Sequence, residues 1–132
     1  GIDVAVPRRR PAGAAIDEAG GDVLLVGRPE NFFPGRPDLD DAIARLKAYS
    51  EAGAGCLYAP GIRTREQIAA VVAAVAPKPV NLLVGSTSEL TMKDIEALGV
   101  RRVSVGGALG RAAWGGCFRG ARGLAGPWPC RP

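Results

Sequence analysis

The chain has 132 residues, 47% of them hydrophobic and only 5% aromatic, with a formal charge of +4. That length and apolar share allow one globular domain with a modest core and argue against disorder. Histidine is absent, which removes Ser-His-Asp and Cys-His catalysis and any His-ligated metal from what these residues do alone, leaving carboxylates, Lys, Arg, Tyr or a hard cation held by oxygens.

The chain opens with "GIDVAVPRRRP". Its charges follow its short apolar stretch, the reverse of a secretory signal. No apolar run approaches the roughly 20 residues of a membrane span. The expectation is a cytoplasmic protein that binds no membrane. The basic clusters Arg8–Arg10 and Arg101–Arg102 lack the interleaved aromatics of a nucleic-acid surface, so solvated arginines account for them better. Residues 12–19 read as a short helix.

From there one grammar recurs. "AGGDVLLVGR" (19–28), "AGAGCLYAPG" (52–61) and "LGVRRVSVGG" (98–107) each run from a Gly through a short spacer to an apolar β-rich stretch and a second Gly. The first Gly reads as a helix C′ residue in the left-handed region. The apolar stretch reads as a short strand buried on both faces. "PVNLLVG" (79–85) supplies another strand after a helix-stopping Pro. The expected strands are Val23–Val26, Cys56–Ala59, Val80–Val84 and Val103–Val105.

The intervening segments are helical. Asp38 is an N-cap with Asp41 three residues on, and Leu39, Ala42, Ile43, Leu46 and Tyr49 form one stripe. Thr64 with Gln67, and Thr91 with Asp94, mark two more helix starts. Residues 108–122 form a weaker helix, interrupted by Gly110, Gly115, Gly116 and Gly120. Four βα repeats imply a parallel sheet with right-handed crossovers, and their length is that of half a (β/α)8 barrel. The fold class is thus α/β, a partial barrel. The expected division is residues 1–122 as the barrel domain and 123–132 as an irregular tail.

Ligands of parallel α/β folds sit at the carboxyl ends of the strands. The first strand delivers Arg28, Glu30 and Asn31 there, and the second delivers Tyr58. Arg28 offers a planar fork for a carboxylate or phosphonate; a salt bridge to Glu30 or to a neighbouring loop is the equal alternative. Asn81, polar within "VNLLV", either faces the ligand or bridges strands. Gly106 and Gly107 either cradle an anion with backbone N–H groups or make a tight turn, the turn being favoured. Asp38, Asp40 and Asp41 complement a helix dipole rather than hold a metal. "FFPG" (32–35) is either a hinge or a loop pinned by aromatics. The three cysteines fit neither a disulfide framework nor a zinc site, and Cys56 and Cys117 read as small buried residues.

"RPENFFPGRPDLDDAIARLKAYSEAGAGCLYAPGI", "KPVNLLVG" and "LGVRRVSVGGALGRAAWGG" resemble, in order, the carboxyl-terminal half of the phosphoenolpyruvate mutase/isocitrate lyase superfamily. The nearest branch is the carboxyvinyl-carboxyphosphonate phosphorylmutase-like and methylisocitrate lyase-like group. The resemblance implies a (β/α)8 enzyme that uses Mg²⁺ and makes or breaks C–C or P–C bonds of small α-oxo or α-hydroxy carboxylates, often as a homo-oligomer. It assigns substrate contacts to Arg28, Glu30, Asn81 and Gly106, and no catalytic residue. Nothing in this chain matches the family's Mg²⁺-binding aspartates or its gating loop. The expected partners are a small carboxylate or phosphonate and further copies of the chain, with no nucleic acid. The alternative is a non-catalytic half-barrel that binds a small anion, or an inactive fragment.

Overall fold

The structure is a computed structural model and describes residues 1–32, 37–85 and 88–126. In chain order it has α1 (Ile2–Ala5), α2 (Arg9–Ala19), β1 (Val26–Gly27), α3 (Leu39–Glu51), β2 (Cys56–Tyr58), α4 (Arg65–Val75), β3 (Val80–Leu83), α5 (Met92–Ala97), β4 (Arg102–Ser104) and α6 (Ala108–Ala125). The four strands form one parallel sheet in the order β1-β2-β3-β4. Consecutive order is the topology of a barrel segment; a doubly wound sheet reverses its order partway.

Local chemistry explains the helix starts. The Asp38 side chain accepts from the Asp41 N–H at 2.9 Å. Thr64 and Gln67 close a full capping box, as do Thr91 and Asp94, each satisfying N–H groups that a helix start leaves open. Three helices end on glycines with left-handed backbone, Gly20 (φ 63°), Gly53 (φ 98°) and Gly99 (φ 89°). The first glycine of each repeated block is therefore the C′ residue the sequence demanded.

Burial sorts the strands into two faces. Leu57, Val80 and Leu82 join Leu46 and Tyr49 of α3, Ile68, Val71 and Val75 of α4, and Ile95 of α5 in one buried cluster. The helices α3, α4 and α5 thus cover a single face. Alternate residues, Tyr58 and Asn81 among them, look to the other face, the interior of a barrel.

Several expectations need correction. β1 is only Val26–Gly27: its ladder with β2 begins at Val26, Leu25 ahead of it offers its carbonyl to the Gly55 and Cys56 N–H groups, and Val23 and Leu24 stay 65% and 54% exposed. The amino-terminal helical region starts earlier than residue 12, with α1 and α2 covering 2–5 and 9–19. The helix α6 runs unbroken through its glycines to Ala125 yet buries no residue. Cys117 on it is exposed, whereas Cys56 is buried. Arg9 is not a solvated arginine: its guanidinium carbon lies 3.3 Å from the centre of the Tyr49 ring. Cys130, and most of the "FFPG" segment, lie outside the described residues.

Asp94 illustrates how capping sets acid sensitivity. Its side chain accepts from Thr91, and Arg65 donates to it at 2.7 Å. These bonds, Thr91's first, hold its carboxyl well below the usual carboxylate range. A depressed folded-state pKa contributes stability that is present above the unfolded value and lost as pH falls through the folded one. Asp94→Asn should therefore be less stable than the parent chain at pH 7, and the gap should be clearly narrower at about pH 2. Urea denaturation midpoints at the two pH values check this; a constant gap contradicts it.

Candidate functional site

The carboxyl end of β1 carries the charged group that the sequence singled out. Arg28 Nε lies 2.5 Å from Glu30 Oε1, and both side chains remain substantially exposed. The same guanidinium carbon is 5.0 Å from the centre of the Tyr58 ring on β2. One edge of the fork is thus engaged by Glu30, and the Tyr58 ring lies within cation–π range of it. Pro29, between the two, is fully buried. The alternation explains the placement: a Cβ on Gly27 would point at Tyr49 and Ala54 on the helix side, so Arg28 emerges on the opposite face. Behind it, Arg9 donates to the Arg28 carbonyl at 3.4 Å.

Asn31 is turned away. Its amide nitrogen donates to Asp41 Oδ2 at 2.7 Å, while its Oδ1 is buried with no partner among the described residues. Asp41 also accepts from Arg45 Nε at 2.8 Å, and that bond, ahead of the one from Asn31, lowers the Asp41 carboxyl below its ordinary value.

Asn81 is fully buried at the centre of the inner face. Its Oδ1 accepts from Arg102 Nη1 at 2.8 Å, and its Nδ2 donates to Ser104 Oγ at 2.9 Å. Both partners stand on β4, so the amide bridges strands. Arg102 is the residue that sequence reading missed. Asn81 and Arg102 are register partners, and that pairing puts both side chains on one face. The thiol of Cys56 belongs to the same region; burial pushes its pKa up, with the charge of Arg102 opposing.

Gly106 sits elsewhere. It lines a cavity of about 730 Å³ at the carboxyl ends of β2, β3 and β4, together with Gly61, Ile62, Arg63, Gly85 and Arg111. Its backbone is left-handed, at φ 52°, which is the turn reading of this glycine. Arg111 of α6 donates to the Gly85 carbonyl across this cavity. Arg28, Glu30 and Asn81 do not line it. The four residues named from sequence therefore fall into three places: an Arg28–Glu30 pair at the rim, Asn81 in the interior, and Gly106 in a neighbouring cavity.

The fit to Mg²⁺ is poor. Among the described residues, no three of His, Cys, Asp and Glu converge. Asp38 and Asp94 cap helices, and Asp41 is paired with Arg45.

Comparison with known proteins identifies the family. The profile of the family described as phosphoenolpyruvate phosphomutase matches residues 1–125. The oxaloacetate decarboxylase of Rhodopseudomonas palustris (strain BisA53) is 34% identical over 93 residues, covering 70% of this chain and 30% of that protein. Among solved structures, a candidate lyase/mutase from Burkholderia cenocepacia J2315 superposes with a TM-score of 0.90 at 45% identity, over 98% of this chain and 47% of that one. An oxaloacetate acetylhydrolase solved with the product oxalate gives a TM-score of 0.83 at 27% identity, over 100% of this chain and 46% of its own. The chain thus spans about a third to a half of the length of these relatives. No helix among the described residues is long and apolar enough to cross a membrane. The chain belongs to the phosphoenolpyruvate phosphomutase family.

Proposed function

We propose that this chain is the anion-binding half of an enzyme that acts on C–C or P–C bonds of small α-oxo or α-hydroxy carboxylates, with Arg28 as the carboxylate or phosphonate clamp. The observation that supports it is the Arg28 guanidinium at the carboxyl end of β1, braced by Glu30 and set beside Tyr58. Glu30 acts on the substrate through Arg28, by holding its fork. Asn81 acts through Arg102 or at the floor of the site, and Gly106 shapes the adjoining cavity. The resemblance implies Mg²⁺ chemistry for the complete family barrel, and no ligand set for it converges among the described residues. That absence among the described residues favours a second reading, in which the chain alone binds a small anion without turning it over.

The test is calorimetric titration of oxalate, without metal, into the wild-type chain and Arg28→Lys. Lysine keeps the charge and loses the bidentate fork. The expected loss is about 1.5–3 kcal/mol, the scale of a hydrogen bond to a charged group, or roughly ten- to hundredfold in affinity. Equal affinities would remove Arg28 from the site and leave it as the partner of Glu30 alone.

A further inference from the structure

Arg28 and Glu30 form an ion pair whose side chains are both substantially exposed, and a solvated pair of that kind does little to hold its own geometry. The backbone between and after them must do so. Pro29 is fully buried, and its ring locks φ. Asn31, next after Glu30, is tied to the first turn of α3. We propose that Asp41 is a positioning residue for the Arg28 clamp: held by Arg45, it anchors Asn31 and so fixes the turn that sets Glu30 against Arg28. The proposal rests on the reading of Arg28 as the anion clamp and adds the group that keeps it in place.

The hydrogen bonds carry the argument. Asn31 Nδ2 donates to Asp41 Oδ2 at 2.7 Å, a distance typical of a bond to an ionised acceptor. A longer contact, 3.4 Å, joins the same nitrogen to the Asp38 carbonyl. Arg45 Nε donates to the same Asp41 oxygen at 2.8 Å, from one turn along the same helix face. Ala42, Leu46 and Tyr49 of α3 are buried, so Asp41 and Arg45 ride on an element seated in the core. The Arg45 bond is also the main reason that the Asp41 carboxyl lies below its ordinary value, which keeps the acceptor ionised.

The aspartates at the start of α3 divide the work. Asp38 accepts from the Asp41 N–H and caps the helix. Asp40 is exposed. Asp41 is turned inward, and its carboxylate receives both the Asn31 amide and the Arg45 guanidinium. Capping therefore accounts for Asp38 and leaves the Asp41 side chain to the turn. Its charge cannot help an anion directly, since like charges repel. Removing it gives a test with a sign: lost charge favours anion binding, and a lost anchor opposes it.

Metal-free calorimetric titration of oxalate into the full chain reads that sign. Asp41→Ala and Asn31→Ala should each weaken binding by about three- to tenfold, the scale of one hydrogen bond. The double variant should be no weaker than either single, because both remove the same bond. Asp41→Asn keeps an oxygen for the Asn31 amide and should stay within about twofold of wild type. In an Arg28→Lys background the Asp41→Ala loss should shrink below about twofold. Unchanged or tighter binding by Asp41→Ala overturns the proposal, and so does a loss equally large in the Arg28→Lys background. Should Asp41→Ala fail to fold, Asn31→Ala carries the test, since it leaves the helix cap and the Arg45 pair in place. The Arg28 Nε–H resonance, identified by its disappearance in Arg28→Lys, gives a second readout that needs no oxalate. Its exchange with solvent should quicken in Asp41→Ala and in Asn31→Ala; unchanged exchange overturns the proposal. If Arg28→Lys binds oxalate as wild type does while that exchange still quickens, the clamp reading falls and Asp41 stands as the group that positions the Arg28–Glu30 pair.

Discussion

Gly27→Ala should destabilise the fold by about 1–3 kcal/mol, and Gly27→Val by more, the scale of overpacking a closed core. A Cβ at this position meets Tyr49 Cβ at 2.9 Å and Ala54 Cβ at 3.1 Å. Neither is the free end of a side chain; both are anchored directly to backbone, so relief requires α3 to move off the sheet. Glycine at the end of β1 is therefore what lets α3 lie close against the strand that presents Arg28. Gly110→Ala is the control. Nothing lies within 4 Å of its Cβ position, and alanine favours a helix interior. Thermal melting should fall sharply for the first change and hold or rise slightly for the second. Equal effects at the two positions would mean that α3 is not seated as described.

That glycine also marks how far the sequence could be read. The Gly–strand–Gly grammar located four parallel strands, because helix ends and strand starts are local events governed by C′ glycines, capping boxes and Pro. Asp38, Thr64 and Thr91 were all legible as caps for the same reason. The length of β1 was not, since a strand is defined by its pairing, and the ladder with β2 begins only at Val26. Arg28 and Glu30 were legible as a strand-end pair, two residues apart and thus on one face. The partners of Asn81 were invisible. Choosing between a ligand and a strand bridge needed the register of β3 against β4, which places Arg102 and Ser104 beside it. Arg102 looked like one of a solvated basic pair for the same cause. Cys117 was misread because free cysteines are usually buried as small hydrophobes, whereas α6 buries none of its residues.

The two faces of β2 should respond oppositely to substitution. Leu57 is fully buried among α3, α4 and the neighbouring strands, so Leu57→Ala should cost about 2–5 kcal/mol through lost burial and the cavity left behind. Against a total stability of about 5–15 kcal/mol, that is a large share, and the urea midpoint should fall accordingly. Yet the residual folded population should bind oxalate as the wild type does, because Leu57 points away from Arg28. Tyr58, next in sequence, faces the other way and lies beside the Arg28 guanidinium. Tyr58→Leu should change stability by no more than about 1 kcal/mol, the scale of a partly exposed cation–π contact. Its effect should appear instead in anion affinity, since the fork loses the ring beside it. A stable Leu57→Ala with weakened oxalate binding, or an unfolded Tyr58→Leu, would reverse the assignment of the two faces and with it the placement of the site on the barrel interior.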